Sequence, residues 1–571
     1  MKTLNMTRIK VLAFSLLFVF NCNYIEAQLS EEERFEFSKN LDIYNALLKE
    51  LVLNYVDTLD VEKITQTNLS TMLRRLDPYT EYIPEEEMSD FRFMTTGEYG
   101  GIGAIITLKD KKIIVVDPYE GMPAALAGIQ PGDEILEIDG VKMEDQTSSF
   151  ASERLKGQPN TTLKLKIQRV GEKNPQEVTF DRKRIHIDPI TYYGVLRDEI
   201  GYIYLSSFMT ESAQAVKAAV TDLVTNYHIK SLILDVRDNG GGVVEECLDM
   251  LNLFIPKGEL LLSMKGKVKQ VDRTYRATQQ PIAPDIPLVV LVNHNSASAS
   301  EILSGTIQDL DRGAIVGTRT YGKGLVQSTR PLPYNGRLKL TTAKYYIPSG
   351  RSIQSVDYSH KNEDGSVSSI PDSLTTVYYT AKGRPVRDGG GILPDFVVED
   401  EKVPTIIYYL DAKYLFFDFV VQWRVKNNKI DSPSEFALTD DAYNEFKEFV
   451  KSKGFTYDLQ SEKAMESLKS IMEFEGYMKG ASEEFQALEN KLKPNLDRDL
   501  ELYREPISKY LATQIMKQYY FDRGQLIYSL RNDVALDKAV GILQDVELYN
   551  GTLAQPLEHL NITSLSPLPN E

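Results

Sequence analysis

PLVVLVN, residues 287–293, is an apolar run without polar alternation. Such a strand is buried on both faces, which is the texture of a parallel sheet between helical layers. The same pattern occurs upstream. GYIYLSSF and SLILDVRD read as strands, and ESAQAVKAAVTDLVTN between them reads as an amphipathic helix. Strand, helix, strand is the βαβ order, so residues 186–400 are expected to form an α/β core.

The flanking regions have other textures. FEFSKNLDIYNALLKELVLNYV spaces its apolar residues at three and four, and NLSTMLRRLDPYTEYI predicts a second helix ending at Asp77-Pro78. Residues 28–96 therefore read as an N-terminal helical region. Between 97 and 185 short strands take over: AIITL, KIIVVD, EILEIDG, TLKLKIQRV and EVTFDRKRI, punctuated by turns such as GIQPGD. Residues 401–571 read as helical, polar and charged. SHKNEDGSVSSIPDS, residues 359–373, reads as a surface loop, and no internal repeat is visible.

A chain of 571 residues has room for about three to four domains. Its hydrophobic content of 42%, with 32 tyrosines and 22 phenylalanines, is enough for packed cores. A net charge of −17 disfavours nucleic acid or anionic lipid as the main partner, because either wants a basic face. The start, MKTLNMTRIK followed by VLAFSLLFVF and YIEA, reads as a secretory signal cut after Ala27. The mature protein is then expected in the periplasm or secreted. The rival is a lipoprotein anchored at Cys22, for which FVFNC is a poor lipobox. The other cysteine, Cys247, is expected to be a small buried hydrophobe.

NSASASEILSGTIQD, residues 295–309, places three serines directly after the apolar strand. A serine hydroxyl becomes a nucleophile only with a base in reach and donors for the oxyanion. The five histidines are His186, His228, His294, His360 and His559, and no GxSxG elbow surrounds His294. A Ser–His esterase using His294 is the weakest reading. Lysine is the other base used with serine, provided that burial keeps it neutral. TYGKGLVQ, residues 320–327, offers Lys323 between two glycines and beside Leu325 and Val326. Gly317 to Lys323 also fits GxxxxGK, but Gly324 stands where a phosphate loop needs Ser or Thr, and Pro331 and Pro333 forbid the following helix. Spacing does not select one serine: Ser298 with Glu301 fits a capping box, and Ser300 also fits a cap. A helix start there would point N–H groups outward, as an oxyanion requires.

SASASEILSGTIQD followed by VGTRTYGKGLVQ resembles the carboxyl-terminal processing peptidases, or tail-specific proteases. DVRDNGGG (235–242) resembles their DxRxNxGG stretch, and ILPDFVVE (392–399) their closing G-[IV]-x-PD segment. The resemblance implies Ser298 as nucleophile, Lys323 as general base and Gln327 as the residue that positions the lysine. It implies an oxyanion hole from the N–H groups of Gly241 and Ala299, and a structural role for Asp309. Gly240 stands where many members have proline.

The resemblance also implies a PDZ domain over 97–185, because EYGGIGAIITL and EGMPAALAGIQPGDEILEIDG resemble its carboxylate loop, strand and helix. Gly101, Ile102, Gly103 and Ala104 can supply a nest of N–H groups for a terminal carboxylate. The implied architecture is a multidomain α+β protein: N-terminal helices packed on a crotonase/ClpP-like protease core, the PDZ domain, and a helical C-terminal extension. The expected activity is a serine endopeptidase acting on proteins or peptides with free, apolar C-termini, without metal or cofactor. The alternative is a PDZ-type binding scaffold with an inactive core. The C-terminal helices are the expected surface for a homo-oligomer or an adaptor.

Overall fold

The computed structural model describes residues 30–362, 366–399, 401–492 and 495–554. The expected signal with Cys22, and His559, lie outside the described residues. The chain divides into two compact units, Met1–Tyr82 and Ile83–Glu571.

In the first unit, helix Glu31–Asn54 begins with a capping box: Ser30 N–H donates to Glu33 at 2.8 Å and Glu33 N–H to the Ser30 hydroxyl at 3.2 Å. Helix Val61–Arg74 is capped by Asp60. It stops at Arg74, short of the predicted Asp77-Pro78. The Asp77 carboxylate instead accepts the N–H groups of Tyr79 and Thr80, both at 2.8 Å, and closes a turn.

In the second unit, the strands Ala104–Lys109, Lys112–Pro118, Glu134–Ile138, Thr162–Gln168 and Gln176–Asp181 form an antiparallel sheet in that order. Helix Ser148–Leu155 and the short turn Pro123–Leu126 cover it, over a core of Ile113, Val115, Ile135, Leu163, Leu165 and Ile167. Strand Glu98–Gly101 pairs with Lys183–His186, so the entry and exit of this domain run side by side.

The α/β core follows. Its six-stranded sheet runs Ile190–Val195, Ile200–Leu205, Ser231–Asp235, Leu288–Val292, Ala314–Gly317, Phe396–Val397. The first pair is antiparallel and the rest are parallel. Helices Ser212–Thr225, Val244–Leu251 and Ala299–Asp309 contribute to the cluster that holds Leu288, Val290 and Val292. Val289 and Leu291 point the other way, against Leu536, Ala539, Val540 and Leu553. The unbroken apolar run is thus explained, since neither face of that strand meets water. Helices Val534–Gln544 and Val546–Ala554, although they lie far along the chain, form the second layer of the six-stranded sheet.

Helices Thr405–Ala412, Leu415–Lys426, Asp440–Ser452, Leu496–Leu502 and Arg504–Ser529 share an aromatic core, with Phe416 stacked on Phe446 at 5.0 Å. Helix Leu415–Lys426 lies so close to two turns of the antiparallel domain that a Cβ on Gly132 would stand 2.4 Å from Val421. Lys517, on helix Arg504–Ser529, reaches Asp117 of the same domain at 2.8 Å. No described helix is long and apolar enough to cross a membrane.

Candidate active site

The strand Leu288–Val292 delivers the serine segment to the edge of the DVRDNGGG loop, and the three serines divide there by burial. The Ser296 hydroxyl donates to Val236 O and the Ser300 hydroxyl to Asn239 O, each at 2.7 Å, and both residues are wholly buried. They tie the segment to the loop. Ser298 is half-buried and begins helix Ala299–Asp309 with φ 55° and ψ −111°. Positive φ at a residue with a side chain is a strained conformation, of the kind that functional sites retain.

Glu301 sits one turn along that helix and is fully buried. One of its oxygens accepts the N–H of Ser298 at 2.9 Å and of Lys323 at 2.8 Å. The other accepts the Thr320 hydroxyl at 2.5 Å and the Gly322 N–H at 2.7 Å. Burial pushes the carboxyl up to about 7, against the pull of Thr320 and of the Lys323, Gly322 and Ser298 N–H groups. On the opposite side, the buried Tyr345 hydroxyl contacts the carbonyls of both Ser298, at 3.2 Å, and Lys323. The backbones of Ser298 and Lys323 are therefore bridged twice, through their N–H groups and through their carbonyls. The sequence showed Glu301 only as a cap, and it gave no signal for Tyr345.

Gly241 lies against the serine. A Cβ there would stand 2.8 Å from Ser298 Cβ and 2.9 Å from Ala299 N, and its φ of +100° also favours glycine. The Gly241 N–H donates to Asn239 Oδ1 at 2.9 Å, and Asn239 is wholly buried. Asn239 is the asparagine of the DxRxNxGG stretch, for which the sequence suggested no separate role. The Gln327 amide donates to Thr341 Oγ1 at 3.2 Å on the neighbouring strand. Asp309, at the far end of the helix, pairs with the buried Arg351 at 2.8 Å. Cys247 is buried, donates to Ala299 O at 3.2 Å, and its thiol is pushed up by burial. His294 is exposed in the turn that follows the strand.

In the antiparallel domain, strand Glu98–Gly101 leads into the loop, Ile102 is buried and Gly103 has φ +70°. A Cβ on Gly103 would stand 2.4 Å from Met122, so the tight turn demands glycine. The loop carbonyls are already engaged: Ile102 O accepts Ala124 N–H and Gly103 O accepts Tyr119 N–H, each at 2.9 Å.

The sequence profile of peptidase family S41 matches residues 199–360, that of the PDZ domain 100–180, and that of the "Probable PDZ-protease, C-terminal helical domain" 406–543. The carboxy-terminal-processing protease of Bartonella bacilliformis is 35% identical over 321 residues, 56% of this chain and 73% of that one. The chain belongs to the carboxy-terminal-processing proteases. A probable CtpA-like serine protease of Staphylococcus aureus is 28% identical over 443 residues, 75% of this chain and 85% of its own. The solved photosystem II D1 C-terminal processing protease is 26% identical, with a TM-score of 0.35, over 63% of this chain and 88% of that one. This processing protease is thus a serine-type peptidase that carries a PDZ domain and takes protein or peptide substrates.

Proposed function

We propose that the protein is an exported endopeptidase that selects substrates by their C-terminal tails and cleaves them with a Ser298–Lys323 dyad. The observation that carries the reading is the double bridge through Glu301 and Tyr345, which fixes the serine and lysine segments as one unit. The Ser298 hydroxyl attacks the peptide carbonyl and its proton passes to the neutral Lys323 amine. The same proton goes on to the leaving amine. Water then adds to the acyl-enzyme and gives a proton to Lys323; as the acyl C–O bond breaks, Lys323 returns that proton to Ser298 Oγ, which releases the acid and restores the hydroxyl and the neutral amine. Gln327 positions the lysine. Ala299 N–H, at the first turn of the helix, is one oxyanion donor; Gly241 N–H is the second once it turns from Asn239.

The N–H groups of Gly101, Ile102, Gly103 and Ala104 receive the substrate's terminal carboxylate, and the strand that follows pairs with the tail. An apolar final side chain is favoured, because a charged one would lose its hydration without a partner. Cleavage after Ala27 would leave Gln28 as the first residue of the periplasmic or secreted enzyme; N-terminal sequencing that finds lipid on Cys22 would replace this with an anchored form. The deciding experiment compares cleavage of a peptide ending in apolar residues with its amidated and aspartate-ended twins. Faster cleavage of the free apolar acid is expected, and equal rates for all three would overturn tail selection.

A further inference from the structure

Arg237 belongs to DVRDNGGG, the stretch that also carries Asn239 and Gly241. Its guanidinium forks onto the wholly buried Asp235, with Nε 3.0 Å from both carboxylate oxygens. The Tyr202 hydroxyl donates to the same carboxylate at 2.8 Å, and the Tyr204 hydroxyl to Arg237 O at 3.2 Å. From the other side, Arg237 Nη2 meets Asp533 Oδ2 at 2.7 Å. The two side chains are only 18% and 13% exposed, so salt and water screen the pair little. The other Asp533 oxygen, Oδ1, accepts Leu536 N–H at 2.9 Å and caps helix Val534–Gln544. A cavity of about 490 Å³ opens beside the pair, with Arg237, Asp238 and Asn293 on the sheet side and Asp522, Leu526 and Asp533 on the helical side. Packing thus leaves this flank of the loop unfilled, and the ion pair crosses it.

We propose that Asp533 is a positioning residue for catalysis: through Arg237 it holds the loop that presents Gly241 N–H to the oxyanion. This rests on the Ser298 nucleophile and the Gly241 donor assigned above. The inner side of the loop is tied to the serine segment, where Asn239 O accepts Ala297 N–H at 3.1 Å and the Ser300 hydroxyl at 2.7 Å. Asp235 and Arg237 are close neighbours in sequence, so their pair travels with the chain that carries it. Asp533 fixes the loop against a separate element. A guanidinium fork suits this task because it fixes direction as well as distance. Direction matters, because an oxyanion donor stabilises the transition state only from its proper place. The helical segment after Asp533 therefore takes part in the chemistry without touching substrate. The two carboxylate oxygens divide the work: Oδ1 serves the helix and Oδ2 the loop.

That division allows a test in the full chain, by steady-state kinetics on an unfolded protein substrate. Asp533→Asn and Asp533→Ser both keep a good N-cap but take the carboxylate away from Arg237. Arg237→Lys attacks the contact from the loop side, keeping the charge and losing the fork. Asp537→Asn is the control: Asp537 lies on the same helix and pairs with the exposed Arg197, so its loss weakens the docking of the helix and leaves the loop alone. The expected result is a kcat about tenfold lower in the Asp533 and Arg237 variants with KM within about twofold, and an unchanged kcat in Asp537→Asn. Fluorophosphonate labelling of Ser298 should slow in step with kcat, since the phosphonyl oxygen uses the same donors. Melting temperatures, read alongside, should not track the loss of kcat. An unchanged kcat in any of these variants that folds, or an equal fall in Asp537→Asn, overturns the inference alone while Ser298→Ala stays inactive. Activity retained by Ser298→Ala removes the dyad reading, and this inference with it.

Discussion

Glu301 accepts the backbone N–H of Lys323 at 2.8 Å, on the same oxygen that takes the N–H of Ser298. One buried carboxylate therefore sets the register between two segments that the chain brings together from separate elements. Four donors converge on it, and an ionised carboxylate, which only accepts, matches that demand.

Glu301→Gln presents an amide NH2 to part of this donor set. Hydrogen bonds to charged groups contribute roughly 1.5–3 kcal/mol each, so kcat should fall by about 10- to 100-fold. KM should change little, because Glu301 contacts the backbones of Ser298 and Lys323, the proposed dyad, from within the buried interior. Steady-state kinetics on an unfolded protein substrate reads this. An unchanged kcat would show that the carboxylate does not hold the dyad.

Glu301 also makes opposite pH predictions for stability and activity. Its folded pKa of about 7 lies above the ordinary value of 4.5. The native state therefore binds the extra proton, and the associated stability is present below about 4.5 and lost as pH rises through about 7. The loss from this group is on the order of 3 kcal/mol. Activity should move the other way, rising as Glu301 ionises and grips all its donors. Thermal melts and rates across that range check both, and Glu301→Gln should flatten this component of the melting profile.

Tyr345→Phe removes the hydroxyl between the Ser298 and Lys323 carbonyls. Its net contribution is about 1 kcal/mol, so kcat should drop about fivefold while the fold is kept. Circular dichroism of the variant separates this local effect from unfolding.

Gly241→Ala should inactivate without unfolding. The added methyl meets Ser298 Cβ and Ala299 N below 3 Å, and φ +100° strains any side chain. A loss of about 100-fold or more in kcat is expected, as for removal of one oxyanion donor, with the melting temperature lowered by a few degrees at most, about 1 kcal/mol in a protein of this size. Activity within about twofold of the unsubstituted protein would place the oxyanion donors elsewhere.

The sequence made some of this architecture legible and hid the rest for physical reasons. PLVVLVN announced a strand covered on both faces because its own residues had to satisfy both. It could not say that Val289 and Leu291 would be covered by helices as distant as Val534–Ala554, since an amphipathic helix does not specify its partner. The capping box at Ser298 and Glu301 was visible as spacing within one turn. The second task of Glu301 required TYGKG to return to the helix start, a long-range contact with no local signature. Tyr345 acts through a hydroxyl placed by tertiary packing, so its neighbours in sequence gave no hint, and Asn239 was visible only as a position of the DxRxNxGG stretch, the partner of its amide being set by the fold. Spacing left all three serines open and the resemblance implied Ser298; that Ser296 and Ser300 are hydrogen-bonded to loop carbonyls is a tertiary feature no spacing announces.

The central claim is that Ser298 is the nucleophile and Lys323 its base. Treating the full-length protein with a fluorophosphonate and mapping the adduct by tandem mass spectrometry tests it most directly. The adduct should lie on Ser298, disappear in Ser298→Ala, fall to background in Lys323→Ala and persist in His294→Ala. An adduct on Ser296, Ser300 or any other residue, or undiminished labelling of Lys323→Ala, would contradict the dyad.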